Sequence, residues 1–300
     1  MMVKQRVRGS MFKNIEYASA SRKDRNIDVI HVKPNIAWVI DGANSLFPFH
    51  ITDEESDAKW FVKQINDYLR KHLKHYNDVN ELLRCAQQEV IHQYIAMSDE
   101  EITDMEFPNA ALAFVYAENN QLYYHVLGPC EIAFHFNDGT VKRVSDLRLP
   151  QMDAKLVCLC QKARRVQRVP LYQARSFMDH MMVENRLHRN LEDGYYVFSE
   201  DMEAMDKAIS GVVPLDHIQS ISLICHGYEE YYHPSRVQHS LEEYLFGKRN
   251  QKLVDQYEQA LKRQESDSNL ARYVQEQVSK PSTFVTFEVM KEEIGEGMPG

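Results

Sequence analysis

Two short apolar runs, Val29 to Val32 and Ile36 to Ile40, are separated by Lys33-Pro34-Asn35, a pattern that predicts two strands joined by a hairpin turn. The period then changes. Ala58, Phe61, Val62, Ile65, Tyr68, Leu69 and Leu73 recur at helical spacing behind a candidate capping box, Thr52 with Glu55, and predict an amphipathic helix of about five turns. Asn77 or Asp78 can cap a second helix, whose buried stripe is Leu82, Leu83, Ala86, Val90, Ile91, Tyr94 and Ile95.

After the acidic loop Ser98 to Glu106 the texture becomes β, with runs at Ala110 to Ala117, Leu122 to Leu127, Ile132 to Phe136 and Thr140 to Val144. Turn signals at Asn119-Asn120 and Asn137-Asp138-Gly139 make these an antiparallel meander. Residues 151 to 192 read as mostly helical. Strands return at Tyr195 to Ser199 and Ile218 to Cys225, with a helix near Met202 to Ile209 between them. A long polar helix, Val237 to Arg263 within the helical segment 237 to 270, precedes a last strand at Thr283 to Val289, and 291 to 300 reads as a disordered tail. This order predicts one α+β domain over residues 1 to 290, with two packed sheets burying the inner faces of the strands.

The 300 residues, 44% hydrophobic and 26% charged, suffice for a sizeable core. No run approaches a membrane span and no apolar segment follows the basic start, so the expected location is the cytoplasm and no membrane partner is expected. The formal net charge of −9 argues against general attraction to nucleic acid. One basic cluster, Lys162, Arg164, Arg165 and Arg168, reads as a solvated face that a phosphate-bearing partner could meet. Cys85, Cys130, Cys158, Cys160 and Cys225 are odd in number and scattered, which fits reduced thiols. Cys158 and Cys160 are read as packing residues, and Cys130 and Cys225 as buried structural cysteines. The 13 histidines show no metal-binding pair on one helix face.

The chemistry concentrates in Ala37-Trp38-Val39-Ile40-Asp41-Gly42-Ala43-Asn44, a buried-strand pattern that runs straight into Asp-Gly. A carboxylate and the neighbouring carbonyl are hard oxygen donors of the kind Mg²⁺ and Mn²⁺ take, and glycine lets the backbone come close to an ion. The same dipeptide also makes ordinary turns.

Four segments, read in order, resemble the bacterial branch of the metal-dependent PPM (protein phosphatase 2C) serine/threonine phosphatases. They are Arg25-Asn26-Ile27-Asp28; Trp38 to Ala43 with Ser56 to Trp60; Pro108 to Phe114 with Tyr124 to Cys130; and Gly194 to Ser199 with Ile221 to Tyr228. The resemblance covers about Ser19 to Val289 and implies a four-layer α-β-β-α sandwich. It also implies hydrolysis by a pair of Mn²⁺ or Mg²⁺ ions that acidify a bridging water. Asp41 and the Gly42 carbonyl match the bridging ligand, and Asp28 matches an aspartate near the second ion. Arg22 and Arg25 lie where the family often places a phosphate-binding arginine, and both also fit as surface charges.

Other positions depart from the family's pattern. Ile27 stands for a glutamate, Gly128-Pro129-Cys130 for Gly-Asp-Ser, Cys225-His226-Gly227 for Thr-Asp-Gly, and Lys280-Pro281-Ser282 for a final acidic pair. A site short of that many carboxylates holds at most one weakly bound ion. His226 could join Asp28, Asp41 and Gly42 around a transition metal, or fill a vacated pocket, and Lys280 could supply the positive charge in place of an ion. The preferred expectation is a pseudophosphatase that binds or regulates a phosphoprotein or another protein. The alternative is a divergent phosphatase centred on Asp41 and His226, with Asp28 and acids recruited from Asp201, Asp216, Asp267 or the Asp99 to Asp104 loop.

Overall fold

The computed structural model describes residues 11–20, 27–74, 78–168, 179–225 and 282–290. The chain begins with β1 (Phe12–Ala20), β2 (Val29–Lys33) and β3 (Ile36–Ala43), followed by the helix pair α1 (Asp57–His72) and α2 (Val79–Ile95). Then come β4 (Asn109–Glu118), β5 (Gln121–Leu127), β6 (Glu131–Phe136) and β7 (Val141–Ser145), α3 (Arg148–Gln167), α4 (Asp179–Leu187), β8 (Ile209–Pro214), β9 (Ile218–Ile224) and β10 (Ser282–Val289).

The strands form two five-stranded sheets with order β1-β10-β9-β6-β7 and β2-β3-β4-β5-β8. Every pairing is antiparallel. Tight turns set the register of the second sheet. Lys33 pairs with Ile36 across Pro34-Asn35, and Glu118 pairs with Gln121 across Asn119-Asn120. Both asparagines of the latter turn have positive φ, 51° and 60°, the left-handed pair of a type I′ hairpin.

Period-2 alternation divides each strand between two cores. Along β3, Ala37 and Val39 point into the space between the sheets, where they meet Ile132, Phe134, Ile221, Leu223, Val285 and Phe287. Ile36, Trp38 and Ile40 point the other way, onto Phe61, Val62, Ile65 and Leu69 of α1 and Leu83, Ala86 and Val90 of α2. The architecture is therefore α+β, with two sheets face to face and a helix pair on the outer face of one. The 237–270 helical segment and the 291–300 tail lie outside the described residues.

Several expectations need correction. Phe12–Ala20 is a strand that its pattern conceals, because Asn14 sits at φ 49° and the register against β10 shifts between Lys13 and Glu16. Ile209–Pro214 is likewise a strand, at the sheet edge, where Val212 is exposed and the apolar pattern is weak. Tyr195 to Ser199 is buried but joins no sheet, contributing isolated bridges from Tyr195 to Arg189 and from Phe198 to Ala110. The helix expected near Met202 is a short 3-10 turn, Met202–Lys207.

The first turn of α1 is capped by Ser56, whose side chain accepts from the Lys59 amide, and not by Thr52. Asp78 caps α2 as expected, accepting from Asn80. Cys158 is exposed and is not a packing residue. Lys162 and Arg168 are exposed, as a solvated basic face requires, while the side chains of Arg164, Arg165 and Cys160 lie outside what is described. No helix among the described residues is long and apolar enough to cross a membrane.

Candidate metal centre

The strand alternation that buries Ala37 and Val39 between the sheets places Asp41 on that same inner face, two residues further on, at the end of the sandwich. Its cross-strand neighbour on β4 is Ala111, a small residue that leaves room for the carboxylate. Gly42 faces the opposite way. A Cβ there would lie 2.6 Å from Val62 Cγ2 and 3.2 Å from Ile27 Cδ1, so only glycine lets β3 approach α1 this closely.

The short link from β5 to β6 crosses from one sheet to the other through Gly128-Pro129-Cys130. Gly128 has φ 73°, and an added Cβ would come within 2.9 Å of Ala111 Cβ and Val197 Cγ1. This turn delivers Cys130 to the inter-sheet core. From the other side, β9 carries Ile221, Leu223 and Cys225 inward by the same alternation. The β6–β9 register pairs Glu131 with Ile224, which makes Cys130 and Cys225 the next cross-strand neighbours, and their thiols hydrogen-bond to one another. The Cys225 amide donates to the Thr283 carbonyl at 2.8 Å, closing the end of the sheet.

Asp28, just before β2, completes the cluster. One donor atom each from Asp28, Asp41 and Cys225 lies within 4.8 Å of the others. Asp28 hydrogen-bonds with Thr283 and Asp41. Burial pushes its carboxyl up to about 6, a rise those hydrogen bonds partly oppose. Burial also raises both thiols, Cys225 well above the ordinary range. Burial thus penalises the charged forms of Asp28 and the two thiols, a cost that a bound cation would offset.

The loop that follows Gly42 is pinned from three sides. Asn44 Oδ1 accepts from the Ala58 amide at 3.1 Å, its carbonyl accepts from Arg186 Nη2 at 3.1 Å, and Ser45 Oγ donates to the Met105 carbonyl at 3.0 Å. Asp57, buried at the start of α1, accepts from the amides of Ile51 and Thr52 and from Tyr94 Oη.

Of the residues singled out in the sequence, Asp28 and Asp41 come together, with Gly42 next to Asp41 in the chain. His226, Arg22, Arg25, Lys280 and Asp267 lie outside the described residues. The other proposed recruits do not join. Asp201 caps the 3-10 turn by accepting from Glu203, Asp216 is exposed beside His217, and Asp104 gives its carbonyl to Arg189. Cys225 is the donor the sequence reading passed over, although inward alternation from Ile221 and Leu223 was there to place it.

No family model and no curated protein sequence matches the chain. Solved structures do. The chain is similar to a bacterial serine phosphatase, 11% identical, with TM-score 0.54 over 94% of this chain and 99% of that one. It is similar to the serine/threonine phosphatase Stp1 from Staphylococcus aureus, 12% identical, with TM-score 0.54 over 94% and 96% of the two chains. A third, PppA of Pseudomonas aeruginosa, described as a key regulatory component of T6SS, is 13% identical with TM-score 0.51 over 92% and 99%. The fold is that of the PPM phosphatases.

PPM phosphatases use Mn²⁺ or Mg²⁺, and the residues at this end of the PPM fold can be weighed against that pair of hard ions. Such ions need several oxygen donors each. Among the described residues the PPM-fold cleft offers two carboxylates and a thiol, with Ile27 and Pro129 contributing no ligating side chain. Among the described residues, this donor set falls short of the oxygen ligands that a Mn²⁺ or Mg²⁺ pair needs.

Proposed function

We propose that this protein is a PPM-fold pseudophosphatase, a binding or regulatory module for a phosphoprotein or a partner protein. The observation that carries the reading is the donor set at the end of the sandwich. Asp28 and Asp41 converge with Cys225 where a two-metal hydrolase needs a ring of carboxylates. With so few anionic ligands, two closely spaced divalent cations would repel each other without compensation, and a bridging water could not be acidified between them. The remaining scaffold keeps an ordered loop after Gly42, held through Asn44 and Ser45, beside the cleft. Arg22 and Arg25, upstream of Asp28 in the chain, are the proposed phosphate contacts, since a guanidinium fork matches phosphate oxygens.

The test combines calorimetric titration of Mn²⁺ and Mg²⁺ into chelator-treated protein with hydrolysis of para-nitrophenyl phosphate by wild type and Asp41→Asn. The expected result is weak or absent Mn²⁺ binding and equal background rates for the two proteins. Tight Mn²⁺ binding with hydrolysis that Asp41→Asn abolishes would instead establish a divergent phosphatase, the reading that retention of Asp28, Asp41 and Gly42 favours. Phosphopeptide binding that weakens in Arg25→Ala separates phosphate recognition from a purely structural role.

A further inference from the structure

The geometry points to a single thiophilic divalent cation, Zn²⁺ by its donor chemistry, held by Asp28, Asp41 and Cys225 at the end of the sandwich. This rests on the reading that the cleft does not hold a Mn²⁺ or Mg²⁺ pair, and it assigns the cleft a different ion. Four separate strand ends deliver the groups. Asp28 precedes β2, Asp41 lies on β3, Cys225 follows β9, and Cys130 precedes β6 from the crossing turn.

Donor spacing and donor type agree. Zn–S and Zn–O bonds of about 2.3 and 2.0–2.2 Å place tetrahedral ligands roughly 3.3–3.8 Å apart. The three donor atoms are already within 4.8 Å of one another, so side-chain adjustment of about 1 Å closes them on an ion. Thiolate sulfur selects Zn²⁺ over Mg²⁺ and Mn²⁺, which prefer oxygen throughout. Three protein ligands leave a fourth position for water or a phosphate oxygen.

Cys130 has the role of a positioning residue. Its thiol hydrogen-bonds to that of Cys225, and its sulfur also meets the Asp41 backbone amide, so it touches two of the three ligand-bearing residues. Partners of this kind orient metal ligands and tune their affinity. A conventional apolar core would carry valine or alanine at these two facing positions. Two hydrogen-bonded thiols beside two carboxylates instead combine soft and hard donors at one end of the sandwich.

The experiment uses the full chain, chelator-treated and kept reduced. Calorimetry should show one Zn²⁺ per chain, bound at least about 100-fold more tightly than Mn²⁺, as softer ligation requires. Loading with Co²⁺ should give the near-ultraviolet thiolate charge-transfer band, which Cys225→Ser abolishes and Cys158→Ser, on the exposed face of α3, does not. Cys130→Ser should keep the band and weaken Zn²⁺ by about 10-fold or more. If Cys225→Ser fails to fold, Asp41→Asn serves in its place, with Zn²⁺ bound about 10-fold or more weakly and the Co²⁺ thiolate band still reached at saturating metal.

A band that survives in Cys225→Ser, or Mn²⁺ bound as tightly as Zn²⁺, overturns the assignment. The two proposals fail separately. Hydrolysis dependent on Mn²⁺ sinks the pseudophosphatase reading, whereas the absence of Zn²⁺ binding in an inactive, folded chain sinks only this one.

Discussion

Asp28 and Asp41 hydrogen-bond to each other through their carboxyl groups at the end of the sandwich, a contact that partly offsets the burial raising Asp28. Burial makes a second negative charge there costly, and Asp28 rises from 3.8 to about 6. Below about pH 4 both folded and unfolded chains carry the Asp28 proton, and the position costs nothing. As pH rises, the unfolded chain releases its proton first, so stability falls between about 4 and 6 and stays lower above that.

Asp28→Asn removes that cost. In chelator-treated protein at pH 7 it should stabilise the fold by up to about 3 kcal/mol, and at pH 4 by nearly nothing. Urea unfolding at the two pH values checks the difference. Equal effects at both would show that burial of the Asp28 charge does not govern the site.

His125 imposes the opposite dependence. It is buried on β5 with its ring edge-on to Phe114, and desolvation lowers it from 6.5 to about 4. Above pH 6.5 it is neutral in both states. As pH falls, the unfolded chain takes up the proton first, so stability is lost between about 6.5 and 4. His125→Phe should flatten the acid limb of the stability curve across this window by about 2–3 kcal/mol, whatever it does to stability at pH 7. The slope, read from unfolding at pH 7 and 5, is the observable.

The second sheet was legible in the sequence because local rules there agree with tertiary ones. The Pro34-Asn35 and Asn119-Asn120 turns set registers that the alternating strands then satisfy on both faces. β1 was not legible, since the irregularity at Asn14 breaks its period and pairing with β10, more than 260 residues away, holds it in place. At the site, Asp41-Gly42 announces itself as polar residues ending an apolar strand. Cys225 is silent by the same rule, because a thiol continuing an inward apolar stripe looks like core until the fold brings Asp28 and Asp41 beside it. His226, Lys280, Arg22 and Arg25 remain proposals of the sequence.

Gly42 tests how tightly β3 must seat on α1 for Asp41 to reach the cleft. Val62, with no exposed surface, has no free rotamer into which to retreat from a Cβ at 2.6 Å. Gly42→Ala should cost about 1–3 kcal/mol by overpacking, and the double variant with Val62→Ala should recover part of it. Denaturant unfolding of the set reads the coupling. Strict additivity would mean that the strain at Gly42 lies elsewhere.

Tyr94 and Asp57 join the two helices to the loop beside the metal centre. The Tyr94 hydroxyl donates to Asp57 Oδ2 at 3.0 Å in a buried setting, and the same carboxylate receives the amides of Ile51 and Thr52. Tyr94→Phe removes one of these donors and leaves the others in place, so its cost should be about 1–2 kcal/mol. Asp57→Ala strands two backbone amides and a phenol at once and should cost more, about 3 kcal/mol or above. Because the loop from Asn44 to Ser56 leads directly from Asp41, its amides should exchange faster in Asp57→Ala than in Tyr94→Phe when the two are compared at matched global stability. Identical exchange in the two would place the loop's order in its contacts through Asn44 and Ser45, with Asp57 serving only the helix start.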